Sequence, residues 1–211
     1  EVLDKATGWQ RAARSFKVDD LNVQVFNTLD DLAADAAHEV NQFLTATIRE
    51  KGSAAAILAT GNSQIQFLKR LVALDGVDWS KVTLFHMDEY LGIEAGHKAS
   101  FRRYMRERVE TLVTPKAFHY IQGDSDLPLE ECARYESLLK AQAIDLCCLG
   151  VGENGHLAFN DPPVARDGQI APDPGVRPCH IHVRVGTERE RVSAPDAKNT
   201  AVANADPGVV Q

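Results

Sequence analysis

The stretch LGVGENGHLAFNDPP, residues 149–163, sets Gly150, Gly152 and Gly155 in G-x-G-x-x-G spacing, with His156 directly behind the last glycine and Asp161 five residues further on. A histidine with a carboxylate available to orient and polarise its ring is what a general acid/base needs near neutral pH, although a histidine in a glycine-rich turn also serves simply by bonding to backbone. Two more polar clusters follow apolar runs: Thr60-Gly61-Asn62-Ser63-Gln64 behind AAAILA, and Asp88-Glu89-Tyr90 behind KVTLFHM. The first offers backbone N–H groups, hydroxyls and the positive end of a helix dipole, a set that holds phosphate. The same letters also read as an ordinary turn with Asn or Ser as the helix cap. The second cluster presents two adjacent carboxylates whose side chains point in different directions, so only one of them is expected to enter a crevice; a solvated acidic loop is the plainer reading.

These residues need elements to hold them. LNVQVF (21–26) alternates as a strand, and Leu32, Ala36, Val40, Phe43, Leu44 and Ile48 recur mainly at helical steps between Leu29 and about Glu50. AAAILAT (54–60) has the length and composition of a buried strand, and IQFLKRLVAL after it has helical spacing. KVTLFH (81–86) is a third strand, and residues 100–113 form a helix with Phe101, Tyr104, Met105, Val109 and Leu112 on one side. LEECARYESLLKAQ (129–142) reads as a helix and AIDLCCLG (143–150) as the strand that feeds the opening motif. Alternating strands and helices predict an α/β fold with a doubly wound, mostly parallel, Rossmann-like sheet, in which ligands sit outside the carboxyl ends of the strands. Thr60–Ser63, Asp88–Tyr90 and Glu153–His156 all fall at such ends and are expected to converge.

The same pattern divides the chain into a leader (1–20) that docks on a neighbour or stays mobile, an α/β domain (21–163) and an atypical or incomplete tail (164–211). The tail contains no Leu, Phe, Tyr, Trp or Met but five of the nine prolines, so it lacks the large side chains that cover a sheet face. This also argues against a dinucleotide site at Gly150–Gly155. That fingerprint needs a helix directly behind the glycines and an acidic residue at the end of the next strand, whereas Pro162 and Pro163 forbid a long helix and no strand follows to display Asp167 or Asp173.

A formal charge of -7 on 211 residues argues against a nucleic-acid surface, and the absence of a long apolar run argues against a membrane span. The expected location is the cytoplasm. Cys132, Cys147, Cys148 and Cys179 are expected to be core thiols.

ILATGNSQIQFLKRL, LFHMDEYLGI with GHKASFRRYM behind it, and above all IDLCCLGVGENGHLAFNDPP resemble the glucosamine-6-phosphate deaminase (isomerase) family, whose relatives include 6-phosphogluconolactonase. The resemblance runs in order over residues 21–163, and MDEY together with the AFN[ED]P continuation sets it apart from the lactonase branch. It implies a cofactor-free and metal-free conversion of glucosamine 6-phosphate and water to fructose 6-phosphate and ammonia. By motif match Asp88 resembles the general base at C2 and His156 the residue that assists ring opening. Asp161 stands where many members carry a glutamate that partners this histidine, and Asn154 where some carry an aspartate. Thr60, Gly61, Asn62, Ser63 and Gln64 resemble the phosphate loop, with Glu89, Gly152 and Gly155 as further substrate-binding positions. The implied partner is a small sugar phosphate, and a homo-oligomer is left open.

Members of the family continue with more strands and helices and a basic residue that reaches the phosphate. Residues 164–211 do not align with that continuation, and Lys198 is a weak match for the basic residue. A non-catalytic sugar-phosphate binding or sensing protein, or a lactonase-like hydrolase, therefore stands beside the deaminase reading.

Overall fold

The computed structural model describes residues 12–18, 21–151, 156–160, 165–166 and 169–170. At its centre is a four-stranded parallel sheet in the order β5-β4-β3-β6, made of β3 (Ala54–Leu58), β4 (Val82–His86), β5 (Ala117–His119) and β6 (Leu146–Cys147). The long helix α1 (Leu29–Lys51) precedes β3, and α2 (Asn62–Ala73) follows it. Thr28 starts α1 by accepting the Asp31 N–H, and Gly52 ends it in the left-handed conformation at φ 82°, where glycine escapes the Cβ clash. Behind β4 comes α3 (Phe101–Met105), which runs on through a π-helical turn (Arg106–Glu110) into the short α4 (Thr111–Val113). Helix α5 (Pro128–Lys140) leads to β6.

Strand side chains alternate between faces, and the core divides accordingly. Ala54, Ala56, Leu58, Val82 and Leu84 pack on one side with Leu44 of α1, Phe67, Leu68 and Leu71 of α2, and Met105 and Val109 of the α3 segment. Ile57 and Phe85 point the other way, onto Tyr135 of α5 and the flanking Ile121, Leu138, Leu139 and Ile144. Helices thus cover both faces, as the alternating sequence pattern implies. The small Ala33, Ala36 and Ala37 on α1 are buried in the same packing as the alanines of β3, which lets helix and strand lie close.

Four details differ from the sequence reading. LNVQVF does not join the main sheet: β2 (Leu21–Val25) pairs antiparallel with β1 (Arg14–Val18), so the end of the leader is docked on its neighbour in sequence. Its alternating apolar and polar residues suit a half-exposed ribbon, whereas the parallel strands β3 and β4 are buried at every position. Strand β5 was not anticipated, because three residues carry no periodicity. The AIDLCCLG segment contributes only Leu146 and Cys147 to the ladder. Leu112 is 61% exposed rather than on the buried side, because the π-helical turn before it advances the helical phase.

Cys147 and Cys148 are free thiols, and burial pushes Cys148 up to about 12, so it is inert core filling. Cys132 departs from the expectation in being disulfide-bonded. Near the end of the domain β7 (Ala165–Arg166) pairs antiparallel with β8 (Gln169–Ile170); otherwise the tail, with Lys198, lies outside the described residues. No helix among the described residues is long and apolar enough to cross a membrane.

Candidate active site

Ladder register brings the working residues to one level. Leu58 of β3 lies opposite His86 of β4, and Ile57 lies opposite Cys147 of β6. Counting on from these pairs, Thr60, Asp88 and Gly150 leave the sheet side by side at its carboxyl edge. Gly150 touches the first loop directly: a β-carbon there would stand 3.5 Å from Ser63 Oγ and 3.6 Å from Gln64 Nε2. The first two polar clusters read from sequence therefore begin together, beside the Gly150 that leads towards the third.

The loop behind β3 is built mostly from backbone. Gly61 is the N-cap of α2 at φ 115°, a conformation that favours glycine, and no side chain caps the helix, so the reading of Asn62 or Ser63 as cap does not hold. Gln64 is 2% exposed and donates to Ser63 Oγ at 3.1 Å, which makes it a support for the loop rather than an open contact. From α3 the Tyr104 hydroxyl donates to the Gly61 carbonyl at 2.9 Å and ties the two elements together.

At the end of β4 the two carboxylates separate. Asp88 lines a cavity with Met87, Glu89, Tyr90, Gln122, Phe159 and Asn160. Burial pushes its carboxyl up to about 6, the neighbouring Glu89 charge adds to the rise, and His156 opposes it. Glu89, expected among the substrate-binding groups, has a side chain that is 0% exposed and committed to the start of α3. Its carboxylate accepts from Ser100 Oγ at 2.8 Å, Arg102 N at 2.9 Å, and Phe101 N and Tyr90 N at 3.0 Å. This is the geometry of a positioning residue: it satisfies the orphan N–H groups of a helix start and in doing so fixes the loop that carries Asp88.

Behind Glu89 stands the buried Arg102, which donates to the Ile93 carbonyl at 2.6 Å and to Gln122 Oε1 at 2.9 Å, and pairs with Asp124 at 2.8 Å. The loop after β5 is pressed against the same residues, since a β-carbon at Gly123 would lie 2.4 Å from the Tyr90 carbonyl and 2.9 Å from Glu89 Cγ. Sequence reasoning did not single out Arg102 or Gly123, and it read Tyr104 only as part of the helix's apolar side. Ser100 as a helix cap followed by buried Arg102, Met105 and Val109 is the periodic signal that distinguishes Arg102 from the arginines beside it.

One turn of the sheet deeper, His86 accepts the Ile121 N–H at 2.8 Å, and burial, seconded by Arg102, holds it down to about 3. It is a neutral core imidazole, framed by Tyr120 and Tyr135. The Tyr135 hydroxyl donates to the His86 carbonyl at 2.7 Å.

His156 is half-buried and close enough to Asp88 for its charge to count there. In the turn behind it Ala158 sits in the left-handed region at φ 53°, which brings Phe159 against Tyr90 and Phe101 at ring separations of 5.0 and 5.7 Å. Gly152, Asn154, Gly155 and Asp161 lie outside the described residues. No group of three or more His, Cys, Asp or Glu side chains that could hold a metal ion occurs among the described residues.

A parallel α/β sheet covered by helices on both faces belongs to the doubly wound class, whose ligands sit in the crevice outside the carboxyl ends of the strands. Residues 27–163 match the profile of the glucosamine-6-phosphate isomerases/6-phosphogluconolactonase family, and the chain belongs to that family. It is 37% identical over 142 residues to a glucosamine-6-phosphate deaminase of Exiguobacterium, covering 65% of this chain and 56% of that one. It is also 37% identical over 142 residues to glucosamine-6-phosphate deaminase 1 of Giardia intestinalis, covering 64% and 53% respectively. The chain thus spans about half the length of the curated relatives it matches. Among solved structures it is similar to a monomeric glucosamine-6-phosphate deaminase at 28% identity and TM-score 0.60, covering 66% of this chain and 59% of that one. A 6-phosphogluconolactonase from Shewanella baltica, with 24% identity, TM-score 0.57 and coverage of 65% and 59%, shares the fold.

Proposed function

We propose that this chain is an amino-sugar phosphate deaminase, converting glucosamine 6-phosphate and water to fructose 6-phosphate and ammonia. The observation that carries the reading is Asp88, a cavity-lining carboxyl raised to about 6 at a strand end and next to the loop suited to phosphate. Above that value it is mostly ionised, and it is more basic than an ordinary carboxylate, which is what abstraction of a carbon-bound proton requires.

His156 moves a proton between the ring oxygen and the anomeric hydroxyl to open the sugar. Asp88 then takes the C2 proton, leaving an enolamine, and returns it to C1. Water adds to the resulting C2 iminium, and ammonia leaves. The substrate's own nitrogen cation stabilises charge developing at C2, and burial around Asp88 keeps competing water away. Asp161 and Asn154 are proposed to orient His156, and Thr60–Gln64 to hold the phosphate. Lactone hydrolysis needs no carbon base at position 88, which supports the deaminase over the lactonase reading.

The test is release of ammonia from glucosamine 6-phosphate by the purified chain, together with exchange of the C2 hydrogen in deuterated water. Both rates are expected to fall as pH drops through about 6, where Asp88 takes up its proton. Binding of the sugar phosphate with neither exchange nor ammonia would favour a binding or sensing protein instead. That second reading is supported by the family match ending at residue 163.

A further inference from the structure

The proposed phosphate loop, Thr60 to Gln64, contains no cation. Backbone N–H groups and hydroxyls can surround a phosphate, but a dianion taken from water is held more strongly by a charge-assisted partner. An arginine on the adjoining helix is placed to be that partner.

The arginines of the α3 segment differ in how they are used. Arg102 is paired with Glu89 and Asp124, Arg103 with Glu107, and Arg106 with Glu110. Arg108 pairs with no carboxylate among the described residues. Its guanidinium lies over the Tyr104 ring, 4.2 Å from the ring centre, and the hydroxyl of that same ring donates to Gly61. One aromatic ring therefore separates an unneutralised guanidinium from the phosphate loop.

The direction is favourable as well. Long side chains on a helix lean towards its N-terminus, and Arg108, one turn beyond Tyr104, folds back over it. The start of α3 lies at the carboxyl edge of the sheet, where Thr60 and Asp88 emerge. Arg108 also sits within the π-helical turn, a local departure from α-helix that is found frequently at functional sites, and this turn packs against α2.

We propose that Arg108 is a specificity residue that binds the substrate's phosphate from the α3 side of the Thr60–Gln64 loop, with the Tyr104 ring as its platform. The proposal rests on the phosphate-loop reading. It makes Arg108 the residue that favours a phosphorylated sugar over the free sugar, independently of the proton transfer at Asp88.

The experiment is a titration of the full chain with inorganic phosphate and with fructose 6-phosphate, followed by the amide resonances of Gly61, Asn62 and Ser63. Wild type is expected to show saturable shifts in those amides. Arg108→Gln should weaken both ligands at least tenfold and reduce the salt dependence of binding, while Arg108→Lys should recover part of the loss. The side chain is half-exposed, so both variants should melt like wild type. Equal affinity in wild type and Arg108→Gln would overturn the proposal and leave the loop reading intact. Absence of any shift in the wild-type loop would overturn the loop reading and Arg108 with it. Neither result depends on turnover.

Discussion

The two central strands end in different ways. The loop after β3 is open and mostly backbone, with one glycine at positive φ, one buried glutamine behind it and one tyrosine bond to α3. The loop after β4 is held by a buried carboxylate with four donors, a buried arginine behind it and a glycine contact that admits no side chain. The difference suits the two tasks proposed for these loops. A phosphate is large, symmetric and strongly attracted, so its cradle tolerates small displacements. A proton taken from carbon passes between two atoms at one geometry, and an ångström of error is expensive.

The most severe way to break this comparison is at Asp88. Asp88→Asn should retain sugar-phosphate binding and lower turnover by roughly 10²–10⁴-fold, the usual worth of a positioned general base. The same change should stabilise the fold. Because the folded pKa of Asp88 lies above its ordinary value, the native state binds the extra proton between about 4 and 6, and stability falls as pH rises through that window. At neutral pH the asparagine variant is expected to gain up to about 2 kcal/mol, measured by denaturant unfolding. Equal stability would mean that Asp88 is ordinarily solvated.

A smaller effect on turnover but a large one on stability is expected at Glu89. Glu89→Gln turns one acceptor oxygen into a donor facing N–H groups and leaves Arg102 without its buried partner. A loss of about 3 kcal/mol in denaturant unfolding follows from breaking such a pair. Loss below 1 kcal/mol, on the scale of an exposed ion pair, would erase the contrast between the two loops.

The mildest change sharpens the comparison from the other side. Tyr104→Phe removes the bond to Gly61 and keeps the aromatic ring, so it should cost about 1 kcal/mol of stability. Hydrogen exchange should quicken in the first turn of α2 and stay unchanged around Glu89. Faster exchange at both loops would show that they are mechanically coupled.

The sequence exposed the fold wherever a long periodic signal existed. The run from Leu29 to Glu50, bounded by Thr28 and Gly52, emerged as α1, the continuous apolar run AAAILAT as β3, and KVTLFH as β4. Elements of two or three residues, such as β5 and β6, carry too few letters to show a period and are defined by their neighbours in the sheet. The same distinction applies to the site. That Asp88 and the Gly61 loop sit at neighbouring strand ends, with His156 near Asp88, was legible because polar clusters behind apolar runs mark the ends of buried strands. Glu89 was read as a ligand contact because its letter does not tell which way a buried carboxylate turns. Gly123 and Arg102 were not read at all, since a close approach between two loops and the choice among four arginines are facts of tertiary packing. Leu112 was misplaced because the π-helical turn before it breaks the helical count.

The sheet order also bears on how the chain acquires its site in time. Strands β3 and β4 are neighbours in the sheet and consecutive along the main-sheet segment of the chain, joined through α2 and a short 3-10 turn, so the loop at Thr60 and the carboxylate at Asp88 come from one βαβ unit. His156 reaches the same edge only after β5, α5 and β6 have been added on opposite sides of that pair. Contacts close in sequence cost less loop entropy and form earlier than distant ones. The Thr60 loop and Asp88 are therefore the part of this edge that a growing chain can assemble first, and His156 is the part that must wait for the sheet to close around it.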